Sequence, residues 1–307
     1  MILWILTGAV LVLIILSFAA GYYFYNLSLN PRINKSIFFG PPSQDSSKEA
    51  KERWFHDNCK RKVVINSFDN LELAGYVVEN PLKSEAWVII AHGYTNKASS
   101  MSHYAEAFYN MGFNVLLPDA RGHGESQGSY IGMGWHERLD IASWSDYINT
   151  HYTYDQIVLF GVSMGAATVM MASGESLPHN VRAVIEDCGY TSVKEEFCYQ
   201  LKNYFHLPAF PILPAASLIT RIKAGYSILY DGSAIKQVEK SHIPTLFIHG
   251  TKDTFVPFFM LDKLYQSASC PKERLVIEGA GHAKSCQVNP DIYWGTIKSF
   301  LSTYVAV

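Results

Sequence analysis

Residues 156–174 read QIVLFGVSMGAATVMMASG. A β-branched apolar run ends at Gly161, Ser163 stands between two glycines, and small residues follow. The pattern Gly-x-Ser-x-Gly alone arises by chance in about one chain in ten of this length at average residue usage. Its flanks decide the reading. QIVLF has the composition of a buried strand and AATVMMASG that of a helix, so the serine falls on a strand–turn–helix junction. That junction lifts a hydroxyl off the end of a sheet. Both glycines then have a steric reason, because a side chain at either position would meet backbone in so sharp a turn.

Working outward, segments of strand and helix character alternate. KVVINSF and LELAGYVVE form a hairpin around Asp69–Asn70. AWVIIAHG is a continuous apolar run of the kind buried on both faces of a parallel sheet. Further strands are expected at FNVLLPDA, VRAVIEDC, PTLFIHG and RLVIEG, with helices near residues 104–109, 137–147 and 292–304. This alternation predicts an α/β fold with a mostly parallel sheet and helices on both faces. Ligands bind such sheets at the carboxyl ends of the strands. The residues there are His92, Gly93, Tyr94, Asp119, Ser163, Asp187, Asp253 and His282.

A serine hydroxyl needs a base to act as a nucleophile, and the base needs an acid to orient it. On this architecture the chain order is Ser, then Asp or Glu, then His. Asp253 follows the strand LFIHG and His282 follows LVIEG, so both order and placement fit. Asp187 is the rival acid, while Glu278 lies too near its strand. His92 reads as a structural histidine. Asp119 and Arg121, two apart in PDARGHGES, read as an ion pair that fixes the loop with His123 and Ser126. Cys188 reads as a small buried hydrophobe.

The matching stretches HGYTNKA, PDARGHGES, GVSMGA, IHGTKDTFVP and GAGHA resemble the α/β-hydrolase superfamily from about Trp54 to Tyr304. The closer likeness is to membrane-anchored bacterial serine hydrolases akin to monoacylglycerol lipases, feruloyl-type esterases and prolyl-oligopeptidase-like enzymes. The resemblance implies an eight-stranded, mostly parallel sheet, with Ser163 as nucleophile, His282 as base and Asp253 as acid. It also assigns one oxyanion-binding amide to Tyr94, and the amide after the nucleophile, that of Met164, is the other.

The 307 residues carry a formal charge of −2, with 49 % hydrophobic and 14 % aromatic side chains. No basic surface for nucleic acid is implied. The five cysteines are scattered without a CxxC pair, which favours neither a zinc site nor a disulfide framework. HExxH, GxGxxG and P-loop patterns are absent, and His103, His136, His151 and His179 lack partners at ligand spacing. No metal and no cofactor are expected.

Residues 2–25, ILWILTGAVLVLIILSFAAGYYFY, carry no charge. A helix of about 20 apolar residues spans the hydrocarbon core of a bilayer. Residues 1–25 therefore read as a single-pass anchor, with Trp4 and the cluster Tyr22–Tyr25 at the two interfaces. A cleaved signal peptide ending near Ala19 is disfavoured because no basic residue precedes the run and the run is long. Arg32 and Lys35 follow the span, which leans towards a cytoplasmic catalytic domain at the cell membrane. Residues 26–53 read as a linker and 54–307 as the hydrolase domain. Within it, an insertion at about 190–241 contains FHLPAFPILPAASLITRI. It is longer than an ordinary αβ connection and reads as a helical cap, with Phe205, Phe210, Leu213 and Leu218 lining an apolar pocket.

The expected function is hydrolysis of carboxylic esters with short or medium acyl chains, lipid-derived esters among them, through an acyl-enzyme on Ser163. The partners are a small-molecule or lipid ester and the membrane. The alternatives are a prolyl-oligopeptidase-like peptidase, an acyl thioesterase, and a scaffold that keeps the fold without turnover.

Overall fold

The structure, a computed structural model, describes residues 1–33, 35, 46–82, 84–152 and 156–306. Eight strands form one sheet in the order β1-β2-β4-β3-β5-β6-β7-β8. They are β1 (Arg61–Asn66), β2 (Glu72–Val78), β3 (Ala86–Ala91), β4 (Asn114–Pro118), β5 (Gln156–Val162), β6 (Val181–Asp187), β7 (Thr245–Gly250) and β8 (Lys272–Ile277). β2 runs antiparallel to both β1 and β4, and the pairings from β4 through β8 are parallel. The predicted hairpin pairs Arg61 with Val77 and Asn66 with Glu72 across the turn at Asp69–Asn70.

The period-two geometry of a strand sends alternate residues to opposite faces, and β3 is buried on both. Val88 and Ile90 face one core with Phe55, Tyr104, Phe108, Tyr293 and Phe300. These come from α2 (Ser46–Asn58), α3 (Ser102–Asn110) and α11 (Pro290–Tyr304). Trp87 and Ile89 face the other with Ile141, Trp144 and Val169, carried by α4 (Glu137–His151) and α5 (Met164–Ala172). Residues buried on both sides need no hydrophobic alternation, which is why the central strands read as unbroken apolar runs.

Between β6 and β7 the chain forms α6 (Val193–Asn203), α7 (Ala209–Ala224) and the short α8 (Ala234–Val238). Ser192 caps α6 by accepting a hydrogen bond from the Glu195 amide, and Gly225 ends α7 in the left-handed conformation. After β7 and β8 come α9 (Phe259–Ser267) and α10 (Ser285–Val288). The N-terminal helix α1 runs from Ile2 to Leu29, four residues beyond the predicted anchor. It continues because its last turns are packed: Gly21, Tyr25, Leu27 and Leu29 are buried. A Cβ on Gly21 would lie 2.7 Å from both Cβ of Ala215 and N of Ala216, so α1 and α7 approach as closely as glycine allows. The predicted linker thus begins inside a helix, and its residues 34 and 36–45 lie outside the described residues. Among the described residues, α1 is the one helix long and apolar enough to cross a membrane.

The expected pair between Asp119 and Arg121 is not formed. Arg121 is fully buried and donates to Asp140, from Nε at 2.7 Å and Nη2 at 2.6 Å, and to Asp69 at 2.9 Å. Asp119 instead accepts the amides of Ala98 at 2.7 Å and Glu125 at 2.8 Å. The loop turns so tightly that the two side chains leave it in different directions, one into the α4 side of the core and the other back into its own turn. Removing one partner of a buried ion pair strands the other charge, at a cost of about 3–5 kcal/mol. Arg121→Met is therefore expected to lower unfolding free energy by about that amount, measured by urea denaturation.

Candidate active site

Ser163 occupies the turn between β5 and α5, with φ 59° and ψ −118°. This is a strained conformation for a residue with a Cβ, and the two glycines make room for it. A Cβ on Gly161 would lie 2.2 Å from the carbonyl oxygen of Gly165, and one on Gly165 would lie 2.1 Å from that of Ala91. The turn could not close around larger residues at either position.

The structure brings the three residues singled out by order and placement together. Ser163 Oγ lies 2.8 Å from His282 Nε2, and His282 Nδ1 lies 2.7 Å from Asp253 Oδ2. Ser163 is buried to all but 8 % of its surface and Asp253 to all but 5 %. The second Asp253 oxygen accepts the amides of Phe255 and Val256, each at 2.9 Å. With Oδ1 held by two backbone donors, Oδ2 is aimed at the imidazole. The Nδ1–H then donates to Asp253, which leaves Nε2 as the acceptor for the serine proton.

One partner of Asp253 escaped the sequence reading. His249, the penultimate residue of β7, is fully buried with Nε2 at 3.3 Å from Asp253 Oδ2 and 3.0 Å from the carbonyl of Val256. Its place at the end of LFIHG, four residues before Asp253, was the available signal. Burial opposes the charge on Asp253, but hydrogen bonds from His249 and His282 outweigh it and hold the carboxyl down to about 2. Burial likewise works to lower His249, yet the bond to Asp253 and the charge of Glu186 leave it raised.

The rival residues are occupied elsewhere. Asp187 accepts the hydroxyl of Tyr293 at 2.9 Å, and burial pushes it up to about 6. Glu278 is exposed beyond β8. His92 donates from Nδ1 to the Gly93 carbonyl and accepts the Ala120 amide on Nε2 at 2.9 Å, so it is a neutral brace for the loop. Burial lowers its pKa accordingly. Cys188, Asp253 and His282 each bring one potential ligand atom within 4.8 Å of the others. Both ring nitrogens of His282 are already hydrogen-bonded, however, and burial pushes the Cys188 thiol well up, which keeps it neutral.

Met164 is the first residue of α5, where helix amides lack an intrahelical acceptor. Gly93 lies beside the nucleophile, since a Cβ there would stand 3.5 Å from Ser163 Cβ. The next residue, Tyr94, donates its hydroxyl to the Ser28 carbonyl of α1 at 2.6 Å, beneath the Lys35 ammonium at 4.4 Å from its ring. Burial raises the phenol and keeps it neutral.

Ser163 opens into a cavity of about 320 Å³ lined mainly by apolar side chains. Of the predicted pocket residues, Phe205 lines it. Leu213 lines a smaller adjoining void instead. Phe210 and Leu218 are 77 % and 46 % exposed and line neither. α7 turns its other face inward, with Ile212, Leu213, Ala215 and Ala216 buried. The cavity wall comes instead from Phe197, Gln200 and Tyr204 of the α6 region, from Phe255 and Val256, and from Leu27 and Ser28 of α1. Nothing local in the sequence of α1 marks that role.

Comparison with known proteins agrees with this fold. Residues 83–215 match the family described as serine aminopeptidase, S33. The uncharacterized protein YqkD of Bacillus subtilis strain 168 is 29 % identical over 248 residues, covering 80 % of this chain and 81 % of its own. The uncharacterized membrane protein YNL320W of Saccharomyces cerevisiae is 23 % identical over 251 residues, covering 78 % of each. The esterase Pf2001 of Pyrococcus furiosus superposes with a TM-score of 0.68 at 22 % identity, covering 92 % of this chain and all of that one. The chain has the α/β-hydrolase fold and resembles the hydrolases built on it.

Proposed function

We propose that this protein is a membrane-anchored serine hydrolase that cleaves carboxylic esters. The observation that carries the reading is the unbroken hydrogen-bonded line from Ser163 through His282 to Asp253, at 2.8 and 2.7 Å, opening into an apolar cavity. Ser163 Oγ attacks the ester carbonyl and passes its proton to His282 Nε2. Asp253, ionised at any pH well above about 2, stabilises the imidazolium. The amides of Met164 and Tyr94 receive the oxyanion, at about 10²–10³ in turnover per donor. The tetrahedral intermediate expels the alkoxide, which takes the proton from His282 and leaves as the alcohol. Water then attacks the acyl-serine, its proton passes through His282 to Ser163 Oγ, and the carboxylic acid departs. α1 holds the domain at the membrane, since its apolar length fits a span and a yeast relative is described as a membrane protein.

The second reading is an aminopeptidase, favoured by the name of the matching family. Such an enzyme needs an anion to bind the substrate ammonium. The carboxyl in the cavity wall is Glu196, which burial pushes up to about 8 despite the hydrogen bond from Gln200. A carboxyl pushed by burial towards its neutral form attracts a cation poorly, which favours esters.

A fluorophosphonate probe tests the proposal. The expected result is one labelled site at Ser163 and an alkyl p-nitrophenyl ester turned over faster than an aminoacyl p-nitroanilide. A folded chain that takes up no label overturns the hydrolase reading, and a preference for the anilide overturns the ester.

A further inference from the structure

The wall that α1 contributes to the cavity gives the anchor a second role. Leu27 and Ser28 line the same cavity as Ser163. Beyond them a second void of about 40 Å³ continues along the same helix, between Phe24, Tyr25 and Leu29 on one side and Leu201, Leu213 and Ala216 on the other. The two spaces share Ser28, Phe197, Gln200 and Phe205 in their linings, so they adjoin at these residues. Phe205 stands at this junction, its ring packed edge-on against Phe24 at 5.0 Å.

The path runs from Ser163 back along α1 towards its apolar half. A helix rises about 1.5 Å per residue, so the 20 residues Ile2–Gly21 cover the roughly 30 Å of a bilayer core. Tyr22 and Tyr23, 51 % and 55 % exposed, then fall at its edge. Ser28 stands six residues farther, about 9 Å from that edge. This is just beyond one headgroup layer, roughly 5–8 Å deep, at whose inner edge the ester groups of membrane amphiphiles lie. On the outer side of α7, Leu218 and Ile222 continue apolar surface beside the anchor, 46 % and 76 % exposed.

We infer that the groove between α1 and α6–α7 is the acyl-chain subsite, so that the substrate is a long-chain ester drawn from the bilayer with its chain lying along the anchor. This rests on the serine-hydrolase reading and adds to it the class of acyl group and the route of entry. Phe205 lies where the chain passes from one space to the other, and the anchor becomes part of the binding site as well as a tether.

The test uses the full-length chain in detergent micelles, with p-nitrophenyl butyrate and p-nitrophenyl dodecanoate. Each buried methylene favours binding by about fourfold, so the dodecanoate is expected to have the higher kcat/KM. Leu213→Trp fills the second void, whose lining does not include Ser163, and is expected to lower the dodecanoate-to-butyrate ratio of kcat/KM at least about tenfold. Phe205→Ala widens the junction and is expected to raise dodecanoate over butyrate, which keeps the test decisive if Leu213→Trp misfolds. A wild-type preference for butyrate, or equal effects of both variants on the two esters, overturns the inference. Butyrate turnover and fluorophosphonate labelling of Ser163 persist in that case, so the serine-hydrolase reading stands apart. Loss of label from the folded wild-type chain defeats both.

Discussion

Substituting Ser163 by alanine is expected to lower kcat for p-nitrophenyl butyrate by about 10⁶, the effect seen when the nucleophile of such a triad is removed. The basis is geometric. Ser163 Oγ lies 2.8 Å from His282 Nε2, and Ser163 lines the cavity. Without it, His282 has no serine proton to take. The double substitution Ser163→Ala, His282→Ala should cost no more than the first alone, because the two side chains act as one unit. A residual rate of about 10³ over water should survive in both, from the oxyanion-binding amides. Folding is expected to be almost unchanged. The strained backbone at φ 59° is the same for alanine, and a single hydrogen bond of about 1 kcal/mol is removed. Steady-state kinetics with a thermal melt on the same samples check both halves. A kcat within tenfold of wild type removes Ser163 from the mechanism.

Asp253→Asn is the second large effect, expected at about 10⁴ in kcat. Asparagine keeps the shape but presents an amide N–H or carbonyl in place of a carboxylate. An N–H facing His282 turns Nδ1 into an acceptor and moves the imidazole proton to Nε2, where it faces Ser163 and blocks proton abstraction. The same variant has a stability signature in acid. The Asp253 carboxyl lies at about 2 in the fold against an ordinary 3.8. A depressed carboxyl adds stability in full above its unfolded value and loses it as pH falls through the folded one. The wild-type chain should therefore lose stability from this group between about pH 4 and pH 2, and Asp253→Asn should lack that component. Urea midpoints from pH 6 down to pH 2.5 check it. Parallel curves for the two proteins would mean that the carboxylate is not held down by His249 and His282.

Much of the machinery was legible along the chain because it depends on local rules. The turn at Ser163 is written in its two glycines, and the order Ser163, Asp253, His282 follows from which strand ends carry polar groups. The two-sided burial of β3 announces itself as the unbroken run AWVIIA. The pocket was not legible in the same way. Phe210 and Leu218 are apolar and lie in the inserted segment, as Phe205 does, but a helix buries only one stripe. In α7 the buried stripe passes through Ile212, Leu213, Ala215, Ala216 and Thr220. Which stripe turns inward depends on what packs against it, and here that is α1, nearly two hundred residues earlier in the sequence.

Arg121 carries the same lesson for charge. Its nearest acid in sequence is Asp119, yet it bonds Asp140 and Asp69, 19 and 52 residues away. Spacing along a loop does not encode the direction in which side chains leave a tight turn. His249 shows the reverse case: its position was fixed by β7, but its contact with Asp253 arises because the chain doubles back within four residues.

The sequence by itself determined the class of fold, the strained turn at Ser163, the chain order of the three residues that line up there, and an uncharged apolar stretch over residues 2–25. These follow from hydrophobic periodicity, glycine sterics and length, all of which act over a few residues. Only the tertiary structure decided that the last turns of α1 close the cavity in front of Ser163, that α7 faces outward at Phe210 and Leu218, and that His249 braces Asp253. Those outcomes depend on which apolar stripes meet and exclude water together. That is a property of pairs of distant segments, and no single stretch of the chain carries it.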